Sequence, residues 1–151
     1  MGVRRCTVDE LESAPNFAAV LAEYEAESAA PEVGPVNAQM DVYRALEAAD
    51  KFYLIASFDT DGNIAGFIAI LAVVVPHYGV LTTTVESFFV AKEHRCTGLG
   101  LSLLNEAERL ATTLGSKAML VSAPVNGALD RVMTKRKSYR HGNNAYLKAL
   151  A

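Results

Sequence analysis

The 151-residue chain has only two cysteines, Cys6 and Cys96, and three histidines, His77, His94 and His141. Two thiols so far apart make neither a disulfide framework nor a CxxC or zinc pattern. The histidines share no helical or strand spacing that would gather a metal, so no metal is expected. Reduced thiols point to a cytoplasmic protein. The start, "MGVRRCTVDELE", turns acidic too soon for a secretory signal, and Gly2 matches a myristoylation site only loosely. The longest apolar run, Ile64 to Val75, is interrupted by Gly66 and too short to span a bilayer, so no membrane partner is expected. A net charge of -3 does not mark a general nucleic-acid binder. Repeats and low-complexity tracts are missing too, which leaves residues 1–151 as one expected domain.

Half of the residues are apolar (51%), enough for a packed core. "VRRCT" is a short strand candidate. Thr7 and Glu10 have capping-box spacing and open a helical stretch that turns Leu11, Phe17, Val20, Leu21 and Tyr24 inward, with Pro15 dividing it. After the break "PEVGP", Asn37 can cap a second helix whose Met40, Tyr43, Leu46 and Ala49 share a face. Three β-rich runs follow: "KFYLIASF", then "IAGFIAILAVVV" after the hairpin signal "DTDGN", then Val80 to Val90 after "PHYG". Leu103, Leu104, Ala107, Leu110, Ala111 and Leu114 define a helix from Leu101 to Leu114, with Gly115 at its C′ position. "KAMLVSA" reads as a buried strand, "GALDRVMTKRK" as a basic helix and "NAYLKAL" as a last strand. This order predicts a mixed α/β layer fold.

The stretch "RCTGLGLS" joins a strand to a helix through two glycines. It lacks the Gly-Lys-Ser/Thr ending of a P-loop, and Leu103 stands where a dinucleotide fingerprint needs its third glycine. Arg-x-x-Gly-x-Gly remains. A helix start offers free N–H groups and the positive end of the dipole, and glycines let a phosphate approach. Lys92 and Arg95 add positive charge. A tight turn alone would also account for the glycines.

With a strand carrying Glu86 before it, and a long helix, a strand and a helix near Asn126 after it, the corner resembles the signature of the GCN5-related N-acetyltransferases (GNAT). The resemblance covers nearly the whole chain. It implies a GNAT-like mixed, mostly antiparallel sheet flanked by helices, and acetyl-CoA as cosubstrate. It implies transfer of an acetyl group to a primary amine, of a small molecule or peptide, in a ternary complex. The pantetheine arm is expected along the main chain of Phe88, Phe89 and Val90. The pyrophosphate is expected on the backbone of Arg95, Cys96, Thr97, Gly98, Leu99, Gly100 and Leu101, helped by the Arg95 side chain and the Ser102 hydroxyl. Asn126 matches a further coenzyme contact.

Glu86, on a face expected to include Thr84 and Phe88, matches the family's general base; a solvent-facing strand carboxylate is the alternative. The family's acidic tyrosine is replaced by Met133, while Tyr139 and Tyr146 lie further on. This keeps a non-catalytic acyl-CoA-binding domain open as a second reading. Arg131, Lys135, Arg136, Lys137 and Arg140 form a basic segment that is either solvated or the contact for a nucleic-acid-linked amine. Cys96 is reactive if the helix start lowers its pKa, and otherwise incidental. Glu25 and Glu27 suit a cationic acceptor. A second copy of the chain could pair along an exposed end strand.

Overall fold

The computed structural model describes residues 2–150. The elements run β1 (Arg4–Cys6), α1 (Val8–Glu12), α2 (Phe17–Glu27), α3 (Met40–Ala48), β2 (Phe52–Phe58), β3 (Ile64–Val75), β4 (Val80–Val90), α4 (Leu99–Thr113), β5 (Met119–Leu120) and α5 (Ala128–Lys135). One sheet, in the order β1-β2-β3-β4-β5, is antiparallel throughout except for the parallel β4–β5 pair. It is the expected mixed, mostly antiparallel sheet with helices on both faces.

Alternation along the strands splits the apolar residues between two layers. Phe52, Leu54, Ala56, Phe67, Ala69 and Phe89 face α1, α2 and α3. Tyr53, Ile55, Ile68, Ile70 and Val85 face α4, whose Leu103, Leu104 and Ala107 are fully buried. Gly66 permits that second contact. A Cβ there would come within 2.9 Å of the Phe89 carbonyl oxygen and 3.1 Å of Leu103 Cδ1.

The capping box forms: Glu10 N–H donates to Thr7 Oγ1 (3.1 Å) and Thr7 N–H to Glu10 Oε2 (2.8 Å). Asn16, between α1 and α2, clasps the start of β3, donating to Ile64 O (3.0 Å) and accepting from Ile64 N–H (2.8 Å). Arg44 of α3 holds Asp9 and Glu12 of the first helix and Asp41 of its own.

Three expectations are corrected. Asn37 does not cap α3; Gln39 is the N-cap, without a side-chain bond, and Ala49 is an exposed C-cap. "KAMLVSA" yields only the two-residue β5, half-exposed, because its ladder with β4 stops at Thr84. "NAYLKAL" forms no strand: residues 141–150 are irregular and exposed, Tyr146 by 89%. A two-residue β5 offers a further strand almost no edge to pair with.

Candidate active site

The site begins with a defect in β4. Ser87 pairs with Ala69 and Val85 with Ile70, so Glu86 is an extra, unpaired residue, a β-bulge. Bulges re-aim side chains and recur beside active sites. Here Glu86 and Ser87 both face the α1–α3 side, where they line a cavity. Phe88, expected on the Glu86 face, instead packs on the α4 side because the bulge shifts the alternation by one. Thr84 does share the Glu86 face, since its partner Leu71 packs there.

Beyond the bulge, β4 has a bare edge. Its parallel ladder with β5 involves only Thr83 and Thr84, so the strands part from Val85 onward. Ala91 N–H donates to Ala65 O (2.9 Å), which by strand alternation turns the Phe89 amide toward β3 and those of Phe88 and Val90 toward the open edge. Of the three residues expected along the pantetheine arm, Phe88 and Val90 thus have outward main-chain groups and Phe89 does not. The Phe89 ring is buried against Phe67 and Tyr24.

The bare edge leads to the glycine corner. Cys96 and Gly98 both have positive φ, +61° and +87°, and Gly98 is the N-cap of α4. Thr97 Oγ1 donates to His94 O (2.6 Å) and braces the turn. The first intrahelical bond is Ser102 N–H to Gly98 O (3.0 Å), so the N–H groups of Gly100 and Leu101 have no intrahelical acceptor. Gly100 packs beside Val90 and Phe88. Leu99 is buried in the α4 core. The Ser102 hydroxyl is turned back onto Gly98 O (3.2 Å).

The Arg95 side chain does not lie free over the corner. Its Nε donates to the outward carbonyl of Val90 (2.8 Å), and its Nη2 contacts both carboxylate oxygens of Glu27 (2.8 and 2.7 Å) and Glu23 at 3.5 Å. Glu23 also accepts from Lys92 N–H (3.1 Å). The C-terminal turn of α2 carries acids and no base, which opposes its dipole, and Arg95 supplies the missing cation. Glu27, read from sequence as a feature suited to a cationic acceptor, is thereby engaged.

On the other side of Glu86 lies a cavity of about 490 Å³ between α1–α3 and the sheet. Its walls include Met40, Leu46, Phe52, Phe67 and Leu71 with the polar Asn37 and Gln39, and among the described residues Glu86 is its one charged lining residue. Tyr43 donates its hydroxyl to Glu86 Oε1 at 2.7 Å. Burial, and then the Glu86 carboxylate, push the Tyr43 phenol well above its ordinary pKa, which keeps it a donor. Burial raises Tyr24 likewise. Sequence reasoning placed Tyr43 on the inward face of α3 but missed this bond. The available signal was a tyrosine, with its polar tip, among apolar residues. The residues of the "PHYG" turn do not line the cavity.

The remaining candidates have local contacts. Asn126, at φ +61°, donates its N–H to Asp130 (2.8 Å), and its carbonyl accepts from Arg131 (2.8 Å). Met133 packs against the α4 core. Tyr139 donates to Glu108 (2.8 Å), which also binds Arg136 (2.9 Å). Cys96 is exposed, whereas Cys6 is buried, which raises its thiol to about 12. Among the described residues no cluster of metal-ligating side chains forms, and no helix is long and apolar enough to cross a membrane.

Comparison with known proteins agrees with this architecture. Residues 16–136 match the family model described as the acetyltransferase (GNAT) family. No curated protein matches the sequence. Among solved structures, a ribosomal-protein-alanine N-acetyltransferase from Brucella melitensis biovar Abortus 2308 superposes with a TM-score of 0.69 at 18% identity, covering 98% of this chain and 99% of that one. An aminoglycoside acetyltransferase from an uncultured soil metagenomic sample does so with 0.74 at 16% identity, covering 99% and 95%. A putative acetyl transferase from Pyrococcus furiosus gives 0.68 at 15% identity, covering 97% and 98%. Identities this low establish the fold they share and leave their substrates their own.

Proposed function

The chain belongs to the acetyltransferase (GNAT) family, and on that premise we propose that it transfers an acetyl group from acetyl-CoA to a primary amine by direct attack in a ternary complex. One observation carries this reading: the bulged Glu86 stands between a lined cavity and a strand edge with unpaired main-chain groups. The residues suit acetyl-CoA. The N–H groups opening α4, with no Cβ at Gly98 and Gly100, would hold a pyrophosphate, while the outward main-chain groups of Phe88 would hydrogen-bond an extended amide arm. When bound, the thioester supplies the activated acetyl group.

In this reading Glu86 takes the proton from the incoming ammonium, directly or through a water, a role worth roughly 10²–10⁴-fold. Tyr43 orients that carboxylate. The outward Val90 N–H donates to the thioester carbonyl as negative charge grows there. Water protonates the departing thiolate, since Met133, in the place where the family often has a tyrosine, has no proton to give. That same residue favours the second reading, a domain that binds acyl-CoA without turnover. A nucleic-acid-linked acceptor gains no support, because Arg131 and Arg136 are engaged on Asn126 and Glu108.

Thermal unfolding with and without acetyl-CoA tests the proposal. At a hundred times its dissociation constant, acetyl-CoA would stabilise the fold by about 2.7 kcal/mol. Gly98→Val, strained at φ +87°, loses that gain. No rise, from folded protein cleared of copurified coenzyme, overturns the reading; a rise with no amine acetylated selects the non-catalytic alternative.

A further inference from the structure

We infer that the acceptor is a small primary amine with a single positive charge on an aromatic or branched aliphatic body, and that polyamines and aminoglycosides are poor substrates. The inference rests on the acetyl-transfer reading above and names the acceptor class for that same site.

Volume comes first. About 490 Å³ falls within the size of small-molecule pockets and is too small for a folded peptide surface. Next is the lining. Phe52, Phe67, Leu46 and Leu71 surround the space, with Asn37 and Gln39 as uncharged polar residues in its wall. A second ammonium set against these walls would lose its water and meet no carboxylate, and a sugar ring would find only Asn37 and Gln39 for its hydroxyls. The one carboxylate, Glu86, sits with Ser87 on the bulge beside the bare edge of β4. Tyr43 occupies Oε1 of Glu86 and leaves the other oxygen for one ammonium.

A polycation needs more carboxylates; among the described residues none besides Glu86 lines the cavity, not even the exposed Glu25, and others on the surrounding helices are engaged. Glu23 and Glu27 hold Arg95, Asp9 and Glu12 hold Arg44, and Glu47 accepts from Val8 N–H (3.0 Å). Charge complementarity therefore ends at one, and the apolar walls select the rest of the molecule.

The test uses the full chain with 2-phenylethylamine, spermidine and sisomicin, reading acetyl-CoA binding by calorimetry and coenzyme A release by a thiol assay. The expected result is a kcat/KM for 2-phenylethylamine at least tenfold above those for the two polycations. Ala38 also lines the cavity, and Ala38→Phe, which adds bulk there, is expected to raise KM for 2-phenylethylamine at least tenfold while acetyl-CoA still binds. Faster turnover of spermidine or sisomicin overturns the acceptor class and leaves acetyl transfer standing. So does an Ala38→Phe variant with unchanged KM. Should acetyl-CoA fail to bind, the transfer reading falls, and a titration of 2-phenylethylamine alone judges the cavity: no saturable binding overturns it.

Discussion

The two faces of the sheet are built differently. On one side α4 presses Leu103, Leu104 and Ala107 into β2, β3 and β4, and a glycine at position 66 lets the backbones close up. On the other side Val8, Leu11 and Val20 pack onto the sheet but no residue of α3 is fully buried; α3 is tied to α1 by ion pairs and the α1–α2 junction to β3 by the Asn16 clasp, which leaves an open cavity. A helix held by close packing serves stability. One held at its rim by polar groups leaves a hollow for chemistry.

The largest expected contrast is in stability. Leu103→Ala should cost about 3 kcal/mol in urea unfolding, whereas Leu46→Ala, half-buried at the cavity wall, should cost about 1 kcal/mol. Equal losses would break the comparison. Glu86→Gln tests the hollow face from the other direction: acetyl transfer should fall about 100-fold, with the unfolding midpoint nearly unchanged. A Glu86→Gln enzyme with full activity would remove the base.

The buried Cys6 thiol, raised from the usual 9 to about 12, adds a pH test. Its folded value lies above the ordinary one, so its contribution is complete below pH 9 and is lost as pH climbs toward 12. Unfolding midpoints at pH 8 and 10.5 should therefore differ more in the native chain than in Cys6→Ala. The smallest effect is expected for Glu27→Gln. The pair with Arg95 is more than a third exposed on each side, so its loss should cost roughly 0.5 kcal/mol in thermal unfolding.

Much of this contrast was legible in advance, and its limits have a pattern. The α4 stripe, the capping box at Thr7 and the Asp61-Gly62 hairpin depend on neighbours a few residues away, and all three formed. The bulge at Glu86 was not legible, because register belongs to two strands at once and appears in neither sequence alone. Arg95 looked like a phosphate ligand from its own stretch, since the carboxylates that hold it are in α2. "NAYLKAL" has strand-like composition but lacks an edge long enough to join. Glu86 was singled out from the strand before the signature; its partner Tyr43 required the tertiary structure.

The clasp between Asn16 and Ile64 has a consequence for how the chain folds. β2, β3, β4 and α4 are consecutive and linked by short turns, so their contacts form at low entropic cost. Asn16 must instead wait until the start of β3 is in place, and so must the helices it anchors. Substitutions at Leu103 should therefore slow refolding, and substitutions at Asn16 should chiefly speed unfolding. A layer that docks late onto a finished scaffold can change its cavity residues without disturbing the nucleus or the glycine corner.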